Sequence, residues 1–493
     1  MRTPGTAEVV LASNRGPLSF RLDDDGSLHA GRGGGGLVAG LSSGTEGVWV
    51  CAALTEGDRR AAAAAPDGVL GLPEDMPHDS LGAATSVRML ILDPVTFARA
   101  YGTVANSTLW FLHHMLFEAA REPSFDQRFA RDWASYVDYN AAFAAAVASE
   151  AAPGGRVLVQ DYHLTLVPTQ LRAARPDLRV AHFSHTPWAP PEYFRLLPDP
   201  LAGAVLRGLL GADRAGFLSR RWAEDFVRCC VDVVGARAEG LSTGGQLVVH
   251  HEWGRTLVDV HPLGVDGPAL RARAAQPDVA GRLSVLAAHI GDRKALVRVD
   301  RTELSKNIVR GLEAYRELLQ RYPQWQRRVV HLAFAYPSRH DLPVYREYTG
   351  QVQRLAREIN DELGDPEWEP VTLHVEDDYP RSLAAYRLAD VMLVNPIRDG
   401  MNLVAKEAPV LSDAGTVLVL SWQAGAADEL SADALMVNPY DVSGTADALH
   451  RALSMDPVER GQRCARLAAS ATALRPEEWL NRQLAALAEL PAR

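Results

Sequence analysis

The chain has 493 residues, 47% hydrophobic and 23% charged, with a formal net charge of −10. That composition suffices for two or three domains with full cores, and the acidic balance argues against bulk nucleic-acid binding. No apolar run reaches the ~20 residues needed to span a bilayer, so no membrane partner is expected. The four cysteines, Cys51, Cys229, Cys230 and Cys464, form no CxxC and no metal-like spacing; this fits a reducing cytoplasm.

In chain order, residues 9–13 read as a buried strand ending at Asn14-Arg15-Gly16-Pro17. A polar hairpin centres on residues 23–26, and a glycine run at 31–36 opens onto an apolar helix start. Such a run lets backbone approach a phosphate, but it lacks the Lys and Ser/Thr of a P-loop. Residues 101–114 are dense in aromatics and histidines, as on a buried helix face. Residues 157–163 read as a strand ending in polar residues, Asp161 among them, and residues 180–187 do the same, with His185 at the strand end. In parallel α/β sheets, ligands sit at the carboxyl ends of strands.

A parallel-sheet rhythm starts afresh after residue 267. Strands at 295–299, 329–335, 371–375, 391–394 and 417–421 alternate with helical stretches. Their ends carry Arg301, Lys306, Arg339 and the acidic run Glu376-Asp377-Asp378. The segment 395–407 reads as strand, turn and helix start. Pro396 takes the chain out of the strand, Gly400 is free for a positive φ, and Asn402 can cap the helix through Val404 and Glu407. The helix start offers backbone N–H groups to an anion. The fold class is therefore α/β, with two Rossmann-like doubly wound domains facing a central cleft. The first comprises residues 1–266, with a last helix (about 477–493) packing back on it, and the second comprises residues 267–476.

The motifs SNRGP (13–17), GGGGL (33–37), NSTLW (106–110), QDYHL (160–164), HTPWAPPE (185–192), PSR (337–339), RDGMNLVAKE (398–407), AGAADEL (424–430) and VNPYD (437–441) occur together with Arg301 and Lys306 five residues apart. In this the chain resembles, over residues 8 to 485, the retaining trehalose-6-phosphate synthases, glycosyltransferases of the two-Rossmann (GT-B) type. The resemblance implies that Arg15, Tyr101, Trp110, Asp161 and Arg339 hold glucose 6-phosphate. It implies that Gly35, Gly36, Arg301, Lys306, Phe334, Asp378, Asp399, Gly400, Met401, Asn402, Leu403, Val404 and Glu407 hold a nucleotide-glucose donor. His185 and Asp161 would meet sugar hydroxyls, and Arg301, Lys306, His185, Asp161 and Asp399 would carry the transfer. No metal or other cofactor is implied. The partners expected are GDP- or UDP-glucose and glucose 6-phosphate, and a homo-oligomer is compatible with the sequence.

Two departures stand out. The family's RLDYSKG becomes Arg301-Thr-Glu-Leu-Ser-Lys306-Asn307, losing its glycine. UDP-glucose-using relatives have an apolar or aromatic residue near the place of Asp378. A carboxylate accepts two hydrogen bonds from the N1–H and N2–H₂ edge of guanine, so Asp378 favours GDP-glucose. A pseudo-glycosyltransferase joining cyclitols and a catalytically silent sugar-phosphate sensor are alternatives on the same scaffold.

Overall fold

The computed structural model describes residues 5–32, 47–65, 68–71, 85–241, 245–339 and 342–490. The chain divides into two compact units, Met1–Leu263 with Pro476–Arg493, and Gly264–Arg475. Both are α/β. Gly35 and Gly36 lie outside the described residues.

In the first unit the strands are β1 (Ala7–Ala12), β2 (Leu18–Leu22), β3 (Leu28–Arg32), β4 (Gly47–Ala52), β5 (Val69–Leu70), β6 (Thr85–Leu90), β7 (Ala151–Gln160), β8 (Arg179–Ser184), β9 (Arg214–Phe217), β10 (Arg237–Glu239), β11 (Leu247–His251) and β12 (Gly254–Val260). β2 and β3 form the expected hairpin; the other ten make one sheet in the order β10-β11-β12-β9-β8-β7-β1-β4-β6-β5. Its centre is parallel and buried on both faces, hence the continuous apolar runs at 9–12 and 157–159. From β1 the chain moves outward through β4 and β6; from β7 it moves outward the other way through β8 and β9. The order therefore reverses between β1 and β7, where a sheet of this type opens a crevice for a ligand. The antiparallel edge β10-β11-β12 was not legible as strands before β12. β12 itself stops ahead of Pro262, which has no N–H to give the ladder.

The second unit holds β13 (Lys294–Arg301), β14 (Val329–Tyr336), β15 (Val371–His374), β16 (Val391–Val394), β17 (Val417–Ser421) and β18 (Leu435–Val437), all parallel, in the order β15-β14-β13-β16-β17-β18. Here the reversal lies between β13 and β16. The helix Ile308–Arg321 presents Ile308, Leu312, Tyr315 and Leu319 to the sheet at helical spacing, all fully buried. No helix among the described residues is long and apolar enough to cross a membrane.

The helix Pro476–Ala488 belongs to the first unit. Its Trp479 is fully buried, meets Phe183 edge-on at 4.8 Å, lies 5.7 Å from the His185 ring, and donates from Nε1 to the His261 carbonyl at 2.9 Å. One side chain thus ties this remote segment to the end of β8. Trp479→Ala should destabilise the first unit by about 3–5 kcal/mol, read as a lower denaturant midpoint, with Trp479→Phe losing much less.

Candidate active site

The second unit gathers its charged residues where its strand order reverses. Arg301 ends β13, and Lys306 lies five residues on, in the short 3₁₀ turn Leu304–Lys306. Asp399 follows β16 on the other side of the reversal. Lys306 Nζ donates to Asp399 Oδ2 at 2.5 Å, and both side chains are largely buried. Burial opposes the charge on Lys306, but Asp399 and Asp300 outweigh it and hold its pKa above the ordinary lysine value. The ammonium is therefore present throughout the neutral range. Arg301 is half exposed and pairs through Nη1 with Glu303 Oε1 at 3.0 Å. Glu303 is fully buried and also accepts from Ser338 Oγ at 2.8 Å. Burial would raise its pKa, but Arg301, Arg339 and Lys306 lower it to about 2. Arg339, in a left-handed conformation (φ 48°), donates to the Tyr345 hydroxyl at 2.8 Å.

The turn after β16 differs from its expected form. Gly400 is not left-handed; Asn402 is, at φ 73°. Asparagine tolerates that region because its short polar side chain bonds locally. Asn402 Nδ2 donates to Asp399 Oδ2 at 3.1 Å, and Oδ1 accepts from the Ala405 N–H at 3.1 Å. Asn402 thus caps the helix Val404–Leu411 from one position before the N-cap, Leu403. Close backbone contact fixes the turn from behind. A Cβ on Gly425 would lie 1.7 Å from the Gly400 carbonyl oxygen, and Asp399 bridges to Ala424. Fully buried Lys406 pairs with Glu429, joining RDGMNLVAKE to AGAADEL. On the same helix, burial lifts the Glu407 carboxyl to about 7 although the Tyr386 hydroxyl donates to it.

Asn307, in the place of the family's glycine, is also left-handed (φ 59°) and donates from Nδ2 to the Asn395 carbonyl at 3.0 Å and the Pro439 carbonyl at 2.7 Å. The substitution keeps the backbone shape and adds two bonds joining the cation loop to the ends of β16 and β18.

In the first unit, Arg15, Asp161 and His185 follow β1, β7 and β8, three adjacent parallel strands. Trp49 Nε1 donates to Ser13 Oγ at 2.7 Å, Ser13 Oγ to the Arg15 carbonyl at 2.6 Å, and the Tyr139 hydroxyl to Asn14 Oδ1 at 2.6 Å. Gly16 lies where a Cβ would sit 2.3 Å from Cys51 Sγ. SNRG is thus a fastened turn that leaves the Arg15 side chain exposed. Asp161 has φ 72° and ψ 170°, a strained conformation for aspartate. Its N–H donates to the Phe183 carbonyl at 2.7 Å, and its Oδ1 accepts from the His185 N–H at 3.2 Å. The His185 Nε2 meets Gln160 Oε1 at 2.9 Å. Burial lowers the His185 pKa to about 3 and that of neighbouring His182 to about 4, so both rings are neutral at pH 7. Tyr101 lies on a π-helix, Ala98–Leu109, that runs on into an α-helix, Trp110–His114, whose first residue is Trp110. Tyr101 stacks on His163, with centroids 5.5 Å apart, and Trp110 is buried beside Tyr162.

Two of the expected donor residues have side chains that the fold already engages. The Phe334 side chain is 1% exposed and lies face to face with His374, inside the sheet rather than on its rim. Asp378 is the N-cap of the helix Tyr379–Leu388, accepting from the Arg381 N–H at 3.0 Å; its carboxylate also pairs with Arg282 at 2.8 Å and Arg381 at 3.2 Å. Sequence reading missed Glu303 and the buried Arg298–Asp300 pair beneath the cation loop. Their signal was alternating charge inside an otherwise apolar parallel strand, VRVDR.

The sequence model of glycosyltransferase family 20 matches residues 8–489. Among curated proteins, the chain is 35% identical over 499 residues to a trehalose-6-phosphate synthase of Mycobacterium sp. (strain JLS), covering 98% of this chain and 97% of that one. It is 33% identical over 475 residues to a bifunctional trehalose-6-phosphate synthase/phosphatase of Thermoproteus tenax, covering 92% of this chain but only 60% of the relative. Among solved structures, an E. coli protein bound with UDP-2-fluoro glucose superposes with a TM-score of 0.82 at 26% identity, covering 98% of this chain and 100% of that one. A UDP-forming alpha,alpha-trehalose-phosphate synthase from Burkholderia xenovorans, in complex with glucose-6-phosphate, gives 0.83 at 26% identity over 97% and 99% of the two chains. With a family match over nearly its whole length and the family's charged motifs assembled at the strand ends, the chain belongs to glycosyltransferase family 20, among the trehalose-6-phosphate synthases.

Proposed function

We propose that the chain transfers glucose from a nucleoside diphosphate glucose to the anomeric hydroxyl of glucose 6-phosphate, with retention at the donor carbon and no covalent enzyme intermediate. The observation that carries this reading is the Lys306–Asp399 pair astride the strand reversal, with Arg301 half exposed beside it. A donor diphosphate takes Arg301 as a planar fork and Lys306 as a point charge. The anomeric C–O bond to the diphosphate breaks, a bond forms from the same face to the acceptor oxygen, and the acceptor's proton passes to the departing phosphate oxygen. Arg301 and Lys306 stabilise the charge growing on that phosphate, so the proposed reaction needs no metal. Asp399, held by Lys306 and Asn402, is partnered for recognising sugar hydroxyls rather than for attacking carbon. His185, neutral, hydrogen-bonds a hydroxyl without moving a proton.

Glucose 6-phosphate is the acceptor that the resemblance assigns to Arg15, Tyr101, Trp110 and Arg339, and a relative's structure holds it. For the donor base, the proposal keeps guanine but moves its partner. Asp378 is taken, while Glu376 and Asp377 are exposed immediately after β15. Tyr336, at the end of β14, has its pKa raised first by burial and then by Asp377 and Asp378, which supports a place for Asp377 near the strand-end rim. Asp377 is thus the carboxylate offered to a guanine edge. Initial rates of nucleoside diphosphate release with glucose 6-phosphate should be higher with GDP-glucose than with UDP-glucose, and Asp377→Ala should erase the difference. A UDP-glucose preference would overturn the guanine assignment. No release with either donor would overturn the transfer itself and favour the cyclitol-coupling or sensor readings.

Asp399→Ala should lower kcat/KM by about 100-fold or more while circular dichroism stays native. Unchanged turnover would remove Asp399 from the site. Glu407 supplies a pH dependence. Its folded pKa of about 7 lies above the ordinary 4.5, so the fold holds its proton more tightly than the unfolded chain does. The stabilisation this brings is complete below about pH 4.5 and lost as pH rises through 7. Only the ionised form accepts from both hydroxyls of a ribose. The KM for donor should therefore fall between pH 6 and 8, and in Glu407→Gln it should be higher and flat with pH.

A further inference from the structure

Beneath the cation loop lies a charged group that the transfer reaction does not touch. Arg298 is on β13, with a fully buried guanidinium. Its Nη2 donates to Asp300 Oδ2 at 2.8 Å and to the Lys306 carbonyl at 3.0 Å. Nε reaches the same Asp300 oxygen at 3.3 Å, and Nη1 reaches the Ile308 carbonyl at 3.4 Å. One side chain thus grips the loop at the residue that carries the donor-facing ammonium and again just beyond it. The Tyr348 hydroxyl completes the grip, accepting from the Ile308 N–H at 2.7 Å.

The niche is built for this group. Gly311 sits inside the helix Ile308–Arg321, where glycine weakens a helix. A Cβ there would lie 2.2 Å from Arg298 Nη1 and 3.2 Å from Asn395 Oδ1. The helix gives up a side chain at the point where the guanidinium passes. His331, on the adjacent β14, is fully buried, and burial first and Arg298 second lower its pKa to about 3, so it adds no competing charge. A buried guanidinium in an apolar sheet is costly unless every donor finds a partner; here those partners are the loop's own carbonyls and Asp300.

We propose that Arg298 is a positioning residue for the donor diphosphate: it fixes the Lys306 backbone from below and, through Asp300, keeps a negative charge beside the Lys306 ammonium. This deepens the proposed transfer and rests on Lys306 meeting the diphosphate. The charged groups facing Lys306 are Asp300 and Arg301 on β13, Glu303 in its own loop, and Asp399 after β16; of these, Asp399 and Asp300 raise its pKa. With Arg298 gone, buried Asp300 loses its cation and shifts further toward the neutral acid, and Lys306 loses one of its two anionic supports. Its pKa then falls.

The test uses the full chain with Arg298→Lys, Arg298→Met and the double variant Arg298→Met/Asp300→Asn, which leaves no orphaned buried charge if the single variant fails to fold. Titration calorimetry with GDP and UDP reads the diphosphate site without the transfer reaction. In the folded Met variant, affinity for the diphosphate and kcat/KM for the donor should fall about 100-fold, the scale of a catalytic group displaced by about 1 Å. The KM for glucose 6-phosphate should stay within about twofold, and the alkaline limb of donor kcat/KM should move to lower pH. Arg298→Lys should recover part of the affinity and the limb, since it restores the charge beside Asp300 but not the two-carbonyl grip. Unchanged diphosphate affinity and an unmoved alkaline limb in a folded variant would overturn the proposal, as would equal losses for both substrates. If wild type binds the diphosphate yet transfers nothing to glucose 6-phosphate, the transfer reading has failed while Arg298 stands or falls on affinity alone.

Discussion

The second unit depends on one requirement: a cation must be kept charged and aimed while most of its water is removed. Lys306 meets that requirement through Asp399, which reaches it from across the strand reversal. Neither residue could be there alone, since breaking a buried pair leaves a charge costing about 3–5 kcal/mol. The pair therefore dictates its surroundings. Asn402 takes a left-handed conformation to hold the carboxylate, Gly425 gives up its side chain so the turn can lie close, and Asn307 binds the loop to two strand ends. Glu303, with Arg301 and Ser338 on one oxygen, extends the same alternation of sign toward Arg339.

The first unit solves a similar problem in another way. At the ends of β7 and β8, backbone strain and burial hold the polar groups. Asp161 is bent into a region that aspartate rarely occupies, and its carboxylate is spent on the His185 backbone, which fixes the geometry of both. Burial keeps His182 and His185 neutral, so this rim offers polar groups whose state does not change across the physiological range. Trp479 walls it from behind. Neutral imidazoles suit sugar hydroxyls, whereas the cations of the second unit, like exposed Arg15 at the end of β1, suit phosphates.

The architecture was legible in the sequence because parallel strands buried on both faces leave unbroken apolar runs, and because the polar residues that end those runs stand out against them. Asp161, His185, Arg301 and Asp399 were found that way, and all are at strand ends. What escaped was decided by conformation or by tertiary partners. Nothing local says that the left-handed residue of 399–402 is Asn402 rather than Gly400. Asp378 looked like a ligand because the three-acid run hides which carboxylate caps the next helix and meets Arg282 from a separate helix. Phe334 lies two residues before the end of β14, and only its burial and the stacking of His374 on it show which way it turns. Arg298 was visible as a charge inside a strand, but its meaning required Gly311, thirteen residues away.

The insertion of the second unit between Leu263 and Pro476 has a consequence for how the protein is made. The first unit is discontinuous, so its Trp479 contact joins positions separated by more than two hundred residues. During synthesis the sheet of the first unit emerges early yet lacks the helix that covers β8. The second unit, continuous in sequence, can close completely before that helix appears. The first unit therefore waits with an apolar seam at Phe183 exposed, and its final cooperative step is a long-range docking event, the kind of step that loop-closure entropy slows. Of the two units, the one that begins to emerge earlier is completed later.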